Sequence, residues 1–270
     1  MFPRELEWRG ILEFMVTALS ILGAGGVGAI LGSFANVCID RVPAGTSLRG
    51  RSQCDQCRKT LRWWELIPIV SAVFLRHRCP RCVHAFSLRN TTVEVMCAAI
   101  AIGAVASARS WSDAIALGIG GIALVILTWI DAERGVVPDL VSLPAIALVI
   151  ALRVIGVWGA PDFLSSMASV VATGALGAGW FLLQRLVSRG AWVGDGDVRI
   201  GALLGVLFPG YLLGVALGAA YIMGGAVGTV LLVTGAAHRG SRLPFVPFLF
   251  FGACVAAFAG PYVLAWYGIS

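Results

Sequence analysis

Residues 14–39, FMVTALSILGAGGVGAILGSFANVCI, run without a single charged side chain. A helix needs about 20 apolar residues to cross the hydrocarbon core of a bilayer, so this stretch reads as a transmembrane span. Glu5, Glu7 and Glu13 stand before it beside Arg4 and Arg9. A secretory signal would want a basic start and a cleavage site, so the span is expected to be retained. Further apolar stretches follow at about 91–108, 114–130, 139–158 and 163–184, bounded by charges, Trp or Pro. The uncharged run at 200–237 is too long for one crossing, and Phe208-Pro209-Gly210 is where it should break, because proline removes a backbone donor and glycine tolerates the turn. That leaves a short helix before the break and a longer one over about 211–235, with a last span at about 246–267 after Pro244 and Pro247. The expected fold is therefore an all-α polytopic membrane protein of about eight transmembrane helices.

Composition agrees. Of 270 residues, 59% are hydrophobic and 13% charged, with a mean hydropathy of +0.89; soluble domains carry about a quarter charged residues, so ordinary globular and disordered classes are excluded. The net charge of +6 does not point to nucleic acid, because the excess is local. Residues 38–90 hold ten basic side chains against Asp40, Asp55 and Glu65, while the rest is close to neutral. Short basic loops stay in the cytoplasm. Placing 38–90 there also puts Arg134, the Arg185–Arg199 connection, Arg239 and Arg242 inside by alternation, and leaves Arg109 alone outside. Gly28/Gly32, Gly214/Gly218 and Gly224/Gly228 have the small-xxx-small spacing that lets helices approach closely in lipid. Cys38, Cys97 and Cys254 lie in apolar spans and are read as small hydrophobes.

The basic loop contains Cys54-x2-Cys57 and Cys79-x2-Cys82. Thiolates are soft anionic ligands, and each short spacing lets one turn supply two of them to a structural, tetrahedral Zn²⁺. A cytoplasmic loop disfavours disulfides, and the surrounding basic charge helps to form thiolates. Arg58 and Val83 stand where zinc knuckles commonly have Gly, and His77 or His84 could complete a mixed site. Reduced thiols or a redox pair remain the alternative.

Carboxylates at membrane depth are costly and mark functional sites. Asp131 ends the third span, eight residues before Asp139; Gly194-Asp195-Gly196-Asp197 opens the short sixth helix at the same membrane edge. Two carboxylates sharing one proton perform aspartyl proteolysis: the ionised one takes a proton from water and the protonated one donates to the scissile carbonyl. Gly194 and Gly196 would let a substrate backbone approach and allow an unwound helix start. Alternatively, these acids cap helices in contact with water. Spacing alone does not bring the two places together.

In order along the chain, Gly32-Ser33-Phe34-Ala35-Asn36-Val37-Cys38-Ile39-Asp40-Arg41-Val42-Pro43, the two CxxC pairs around Leu61–Ser71, Ser87-Leu88-Arg89 with Glu94, Asp131 with Pro138-Asp139, Gly194-x-Gly196-Asp197 and Leu243-Pro244-Phe245-Val246-Pro247 resemble the type IV prepilin peptidases, GxGD-type intramembrane aspartyl proteases. The resemblance covers nearly the whole chain. It implies that Asp131 and Asp197 form the catalytic dyad, with Glu133, Asp139 and Asp195 as neighbours that tune or cap. It implies type IV prepilin or pseudopilin substrates, cut at the cytoplasmic membrane face of a prokaryotic inner membrane before a hydrophobic helix. It further implies N-methylation of the new N-terminus with S-adenosylmethionine through the cysteine loop. The expected organisation is a first span at 1–40, the Cys-rich loop at 41–90 and the peptidase domain at 91–270. The rival classes are a proton-coupled transporter, for which no internal repeat is found, and a non-catalytic assembly component with a zinc-stabilised loop.

Overall fold

The computed structural model describes residues 4–54, 56–69, 74, 78–236, 238 and 243–268. Asp55, Ser71, His77, Arg239 and Arg242, all named above, lie outside the described residues. Nine α-helices are described: α1 Arg4–Arg41, α2 Leu88–Ser107, α3 Trp111–Arg134, α4 Asp139–Val157, α5 Phe163–Val187, α6 Asp195–Leu207, α7 Tyr211–Val233, α8 Val246–Phe258 and α9 Gly260–Trp266. Among the described residues there is no strand, only two isolated β-bridges in the cysteine loop. Six helices, α1 to α5 and α7, are long and apolar enough to cross a membrane, and the α8–α9 pair makes a seventh if counted as one span. The protein is a multi-pass membrane protein of the expected all-α class.

Among the described residues the expected count of eight is not reached, for two physical reasons. Helix α6 has 13 residues, about 20 Å at 1.5 Å per residue, too short for a hydrocarbon core of about 30 Å. The last apolar stretch does not run straight from 246 to 267. It bends by 69° between α8 and α9, where Pro261 sits at the start of the second helix and withholds a backbone donor. The inner end of α6 is not left bare: Arg153 of α4 donates to the Leu207 carbonyl at 2.6 Å and pairs with Asp113 of α3 at 2.6 Å. A helix ending inside the apolar layer needs such a partner for its last carbonyls.

Helix α3 is the centre. Of its apolar window 56% is buried, against 11–28% for the other spans, whose outer faces are left to lipid. One face of α3 (Ile122, Val125, Ile126 and Ile130) packs with Ala35 and Ile39 of α1 and Val93 and Cys97 of α2. The other face (Ala116, Ala123, Leu124 and Leu127) joins a larger core with α4 to α8. Successive residues turn by about 100°, so positions 122, 125, 126 and 130 fall on one side and 116, 123, 124 and 127 on the other.

The glycine pairs divide unevenly. A Cβ on Gly28 or Gly32 would stand 2.6–2.8 Å from α2, so that pair does seat α1. Gly214 and Gly218 have nothing within 4 Å, and Gly224 and Gly228 make ordinary contacts at best. Close crossings are α7 against α8, where a Cβ on Gly252 would stand 2.0 Å from the Ala216 carbonyl oxygen, and α5 against α6, where a Cβ on Gly177 or Gly205 would meet a backbone oxygen at 2.1 Å. Thr173 adds a hydrogen bond to the Gly205 carbonyl at 2.9 Å across it.

Candidate active site and cysteine centre

Asp131 lies in the last turn of α3, just before Gly135 ends the helix in the left-handed conformation at φ 65°, a position glycine fills without steric cost. It is buried, and its Oδ2 accepts the backbone N–H of Val246 at 3.1 Å. Val246 is the first residue of α8, so its N–H is one of the donors that a helix start leaves without an intrahelical partner. Asp197 is the third residue of α6 and accepts from the N–H of Gly194, the N-cap, at 3.1 Å. Each carboxylate thus sits on a helix N-terminus, where the aligned peptide dipoles favour negative charge. The two are also near enough for the charge of Asp131 to act on Asp197.

Packing brings the two helix ends together. Helix α4 lies between α3 and α6, and Arg199 of α6 donates to the Val137 carbonyl at 3.0 Å and pairs with Asp139. Gly196 backs onto the same link, since a Cβ there would meet Val137 at 2.5 Å. Gly194 is different: the space around its Cβ direction is open, with nothing nearer than 3.9 Å, which leaves room for an approaching backbone. The helix start itself is not unwound. Asp195 to Asp197 already form its first turn, and only Gly194 is extended, at φ −82° and ψ 169°.

The five acids at the α3 C-terminus and the α4 and α6 N-termini fall into two groups. Glu133 pairs with Arg89, Asp139 with Arg199 and Asp195 with Arg185. Among the described residues Asp131 and Asp197 pair with no cation. Arg199 and the Val246 N–H were not recognised as site elements from sequence. Arg199 carries a signal that could have found it, a lone cation two residues after Asp197 in an otherwise apolar helix.

The four loop cysteines come together, with their Sγ atoms all within 4.8 Å of one another and Cys54 Sγ 3.6 Å from Cys82 Sγ. Zn–S bonds of about 2.3 Å give a tetrahedral edge of about 3.8 Å, so the donor set suits a tetrahedral thiolate metal. The two turns repeat each other. Arg58 N–H donates to Cys54 O and Cys54 N–H to Lys59 O; Val83 N–H donates to Cys79 O and Cys79 N–H to His84 O. Bridges at Gln53–Thr60 and Arg78–Ala85 close them. Arg58 and Val83 take φ 56° and 59°, the conformation usually left to glycine, so the knuckle geometry is kept without it. The N–H groups of Arg81 and Cys82 hold the Cys79 thiol down at about 7. The N–H of His84 favours the Cys82 thiolate, yet burial and the neighbouring thiols push it up to about 12. His84 is not part of the cluster.

The family model for the bacterial peptidase A24 N-terminal domain matches residues 27–108, from the second half of α1 through the cysteine loop and α2. Similar curated proteins are named prepilin leader peptidase/N-methyltransferase. That of Burkholderia pseudomallei strain 1026b is 31% identical, over 87% of this chain and 84% of its own length. That of Pseudomonas putida is 28% identical over 93% of both, and that of Neisseria gonorrhoeae 28% identical over 83% of this chain and 85% of its own. No solved structure matches.

Proposed function

The chain belongs to the prepilin leader peptidase/N-methyltransferase family, and from that premise we propose that it is a membrane-embedded aspartyl endopeptidase that removes the leader of type IV prepilins or pseudopilins and N-methylates the new N-terminus. The observation that carries the first half is the distribution of charge among five neighbouring acids. Three are held by arginines, while among the described residues Asp131 and Asp197 are met by backbone N–H groups and no cation, and the charge of Asp131 acts on Asp197. Carboxylates placed this way cannot both ionise cheaply, so they share a proton. The ionised member takes a proton from a water between them. The hydroxide oxygen bonds to the scissile carbonyl carbon while the protonated member donates to the carbonyl oxygen. Collapse of the tetrahedral intermediate breaks the C–N bond, and the leaving amine receives the proton taken from water.

Cys54, Cys57, Cys79 and Cys82 are proposed to hold a structural Zn²⁺, and S-adenosylmethionine to supply the methyl group. The proposed organisation is a first span (1–40), the cysteine loop (41–90) and the peptidase domain (91–270), with the active site at the cytoplasmic face of the inner membrane. The scaffold reading gains nothing from the geometry, since it needs no unpaired acids, and the transporter reading, which could use them, leaves the cysteine cluster without a role.

The test is cleavage of a prepilin by purified protein in detergent, the product weighed with and without S-adenosylmethionine. Loss of the leader, and a methyl-sized gain only when the donor is added, are expected. An intact prepilin would overturn the reading.

A further inference from the structure

The chain between α1 and α2 does not stay clear of the membrane. Its middle forms a short 3₁₀ helix, Trp63–Leu66, followed by a turn. In that turn the Ile69 N–H donates to Glu94 Oε2 at 2.8 Å. Glu94 lies six residues into α2 from Leu88, about 9 Å along the helix. A Cβ on Gly32 of α1 would stand 2.7 Å from the Glu94 Cα, so these two residues share one depth. Gly32 stands seven residues inside the uncharged run that ends at Ile39, about 10 Å from its end. Two spanning helices, read separately, thus place Ile69 inside the apolar layer they define. Ile69 takes φ 61°, an outlier for a β-branched residue, and the bond to Glu94 holds it there.

The segment is two-sided. The Ile67 N–H donates to Trp64 O at 3.5 Å, one 3₁₀ turn on, and residues three apart in such a turn eclipse each other. Trp64 and Ile67 therefore share a face, and that face is open, with the two side chains 44% and 37% exposed. Glu65 points the other way. It is buried, accepts the Arg62 N–H at 2.7 Å and pairs with Arg81 at 3.7 Å. The Arg62 guanidinium stays with the open face, 4.9 Å from the centre of the Trp64 ring. The outward charge of the segment is positive, because its acid is turned in.

We propose that Trp64 and Ile67 are immersed in the interface of the leaflet on the loop's side, and that Arg62 holds the headgroup of an anionic phospholipid there. Tryptophan favours that layer, which suits a ring with an apolar body and a polar edge. Arginine lays its stem along apolar surface and keeps its charged end at the headgroups. One arginine near a membrane surface favours anionic over neutral lipid by about fivefold. Arg81, held by Glu65, also donates to the Thr60 carbonyl at 2.9 Å and so joins the second cysteine turn to the first. A lipid bound at Arg62 therefore steadies the cysteine centre at a fixed height over the membrane.

The experiment places full-length protein in phosphatidylcholine nanodiscs and reads Trp64 as the difference in fluorescence between wild type and Trp64→Phe. Arg62→Gln is read the same way against its own Trp64→Phe double variant. Circular dichroism and gel filtration check that each protein folds. Lipid brominated near the headgroup end of its chains should quench the Trp64 signal more than lipid brominated near the chain ends, and acrylamide should quench it little. At equal mole fraction, brominated phosphatidylglycerol should associate with Trp64 about fivefold more strongly than brominated phosphatidylcholine, and Arg62→Gln should bring that ratio towards one. A Trp64 signal open to acrylamide and untouched by bromine would put the segment in water and overturn the proposal. A signal shielded from both would mean that protein covers this face, and would overturn it equally. Equal association of the two lipids with wild type, or a preference that survives Arg62→Gln, would overturn the anionic site at Arg62.

Discussion

The Val246 N–H donates to Asp131 Oδ2 at 3.1 Å across 115 residues of sequence, which makes the Pro244-Phe245-Val246-Pro247 segment part of the wall of the site. Because the backbone makes this contact, trimming the Val246 side chain should spare the chemistry. Val246→Ala is expected to lose stability, about 2 kcal/mol for two buried methyl groups plus the cavity they leave, with kcat changed less than about twofold. A large loss of kcat in folded Val246→Ala would show that the side chain, not the N–H, serves the site.

Arg199 holds the α3–α4 link against the first turn of α6 through Val137 O and Asp139. Arg199→Ala should loosen the spacing of the two carboxylates and lower kcat by up to about 100-fold, with KM little changed and the folded fraction preserved on gel filtration. Arg199→Lys, which can keep the ion pair but carries its charge on a compact ammonium with a different reach, should fall between. Equal activity of all three proteins would show that the clamp does not position the dyad.

The cysteine centre predicts a pH-dependent metal affinity. Thiolates bind zinc, so binding must release protons. Cys79 lies near 7 and Cys82 near 12 before metal arrives, so affinity should fall steadily as pH is lowered through 7 and below. Competition with a chromogenic chelator across pH measures this; a flat dependence would contradict thiolate ligation.

Val83 occupies left-handed backbone at φ 59°, which costs about 1–2 kcal/mol for a residue with a Cβ. Val83→Gly should relieve part of it, so that more chelator is needed to strip the metal. Weaker retention in Val83→Gly would show that the valine side chain contributes more than its strain costs.

The helices were largely legible from runs of apolar residues, because lipid tolerates little else. Most of what escaped the sequence depended on neighbours. Pro261 breaks the last span directly after Gly260, a Gly-Pro turn signal passed over inside the long apolar run, whereas Pro144 after Leu143 is tolerated inside α4. Gly201 and Gly205 sit in a close crossing while Gly214 and Gly218 have nothing within 4 Å, although both pairs share one spacing. The two candidate acids stood out by depth. Only the fold shows which of these five acids acquire an arginine, since Arg89 lies 44 residues from Glu133 and Arg199 reaches across the link to Val137.

The central claim, that Asp131 and Asp197 are the working pair and their paired neighbours are not, is tested by measuring leader cleavage in five single variants. Asp131→Asn and Asp197→Asn should each lose about 10²–10⁴-fold or more, while Glu133→Gln, Asp139→Asn and Asp195→Asn keep measurable turnover. The wild-type rate should be bell-shaped in pH, since below both apparent pKa values the pair holds no base and above both it holds no acid. Cleavage that survives Asp131→Asn or Asp197→Asn, in protein that still folds, would contradict the account.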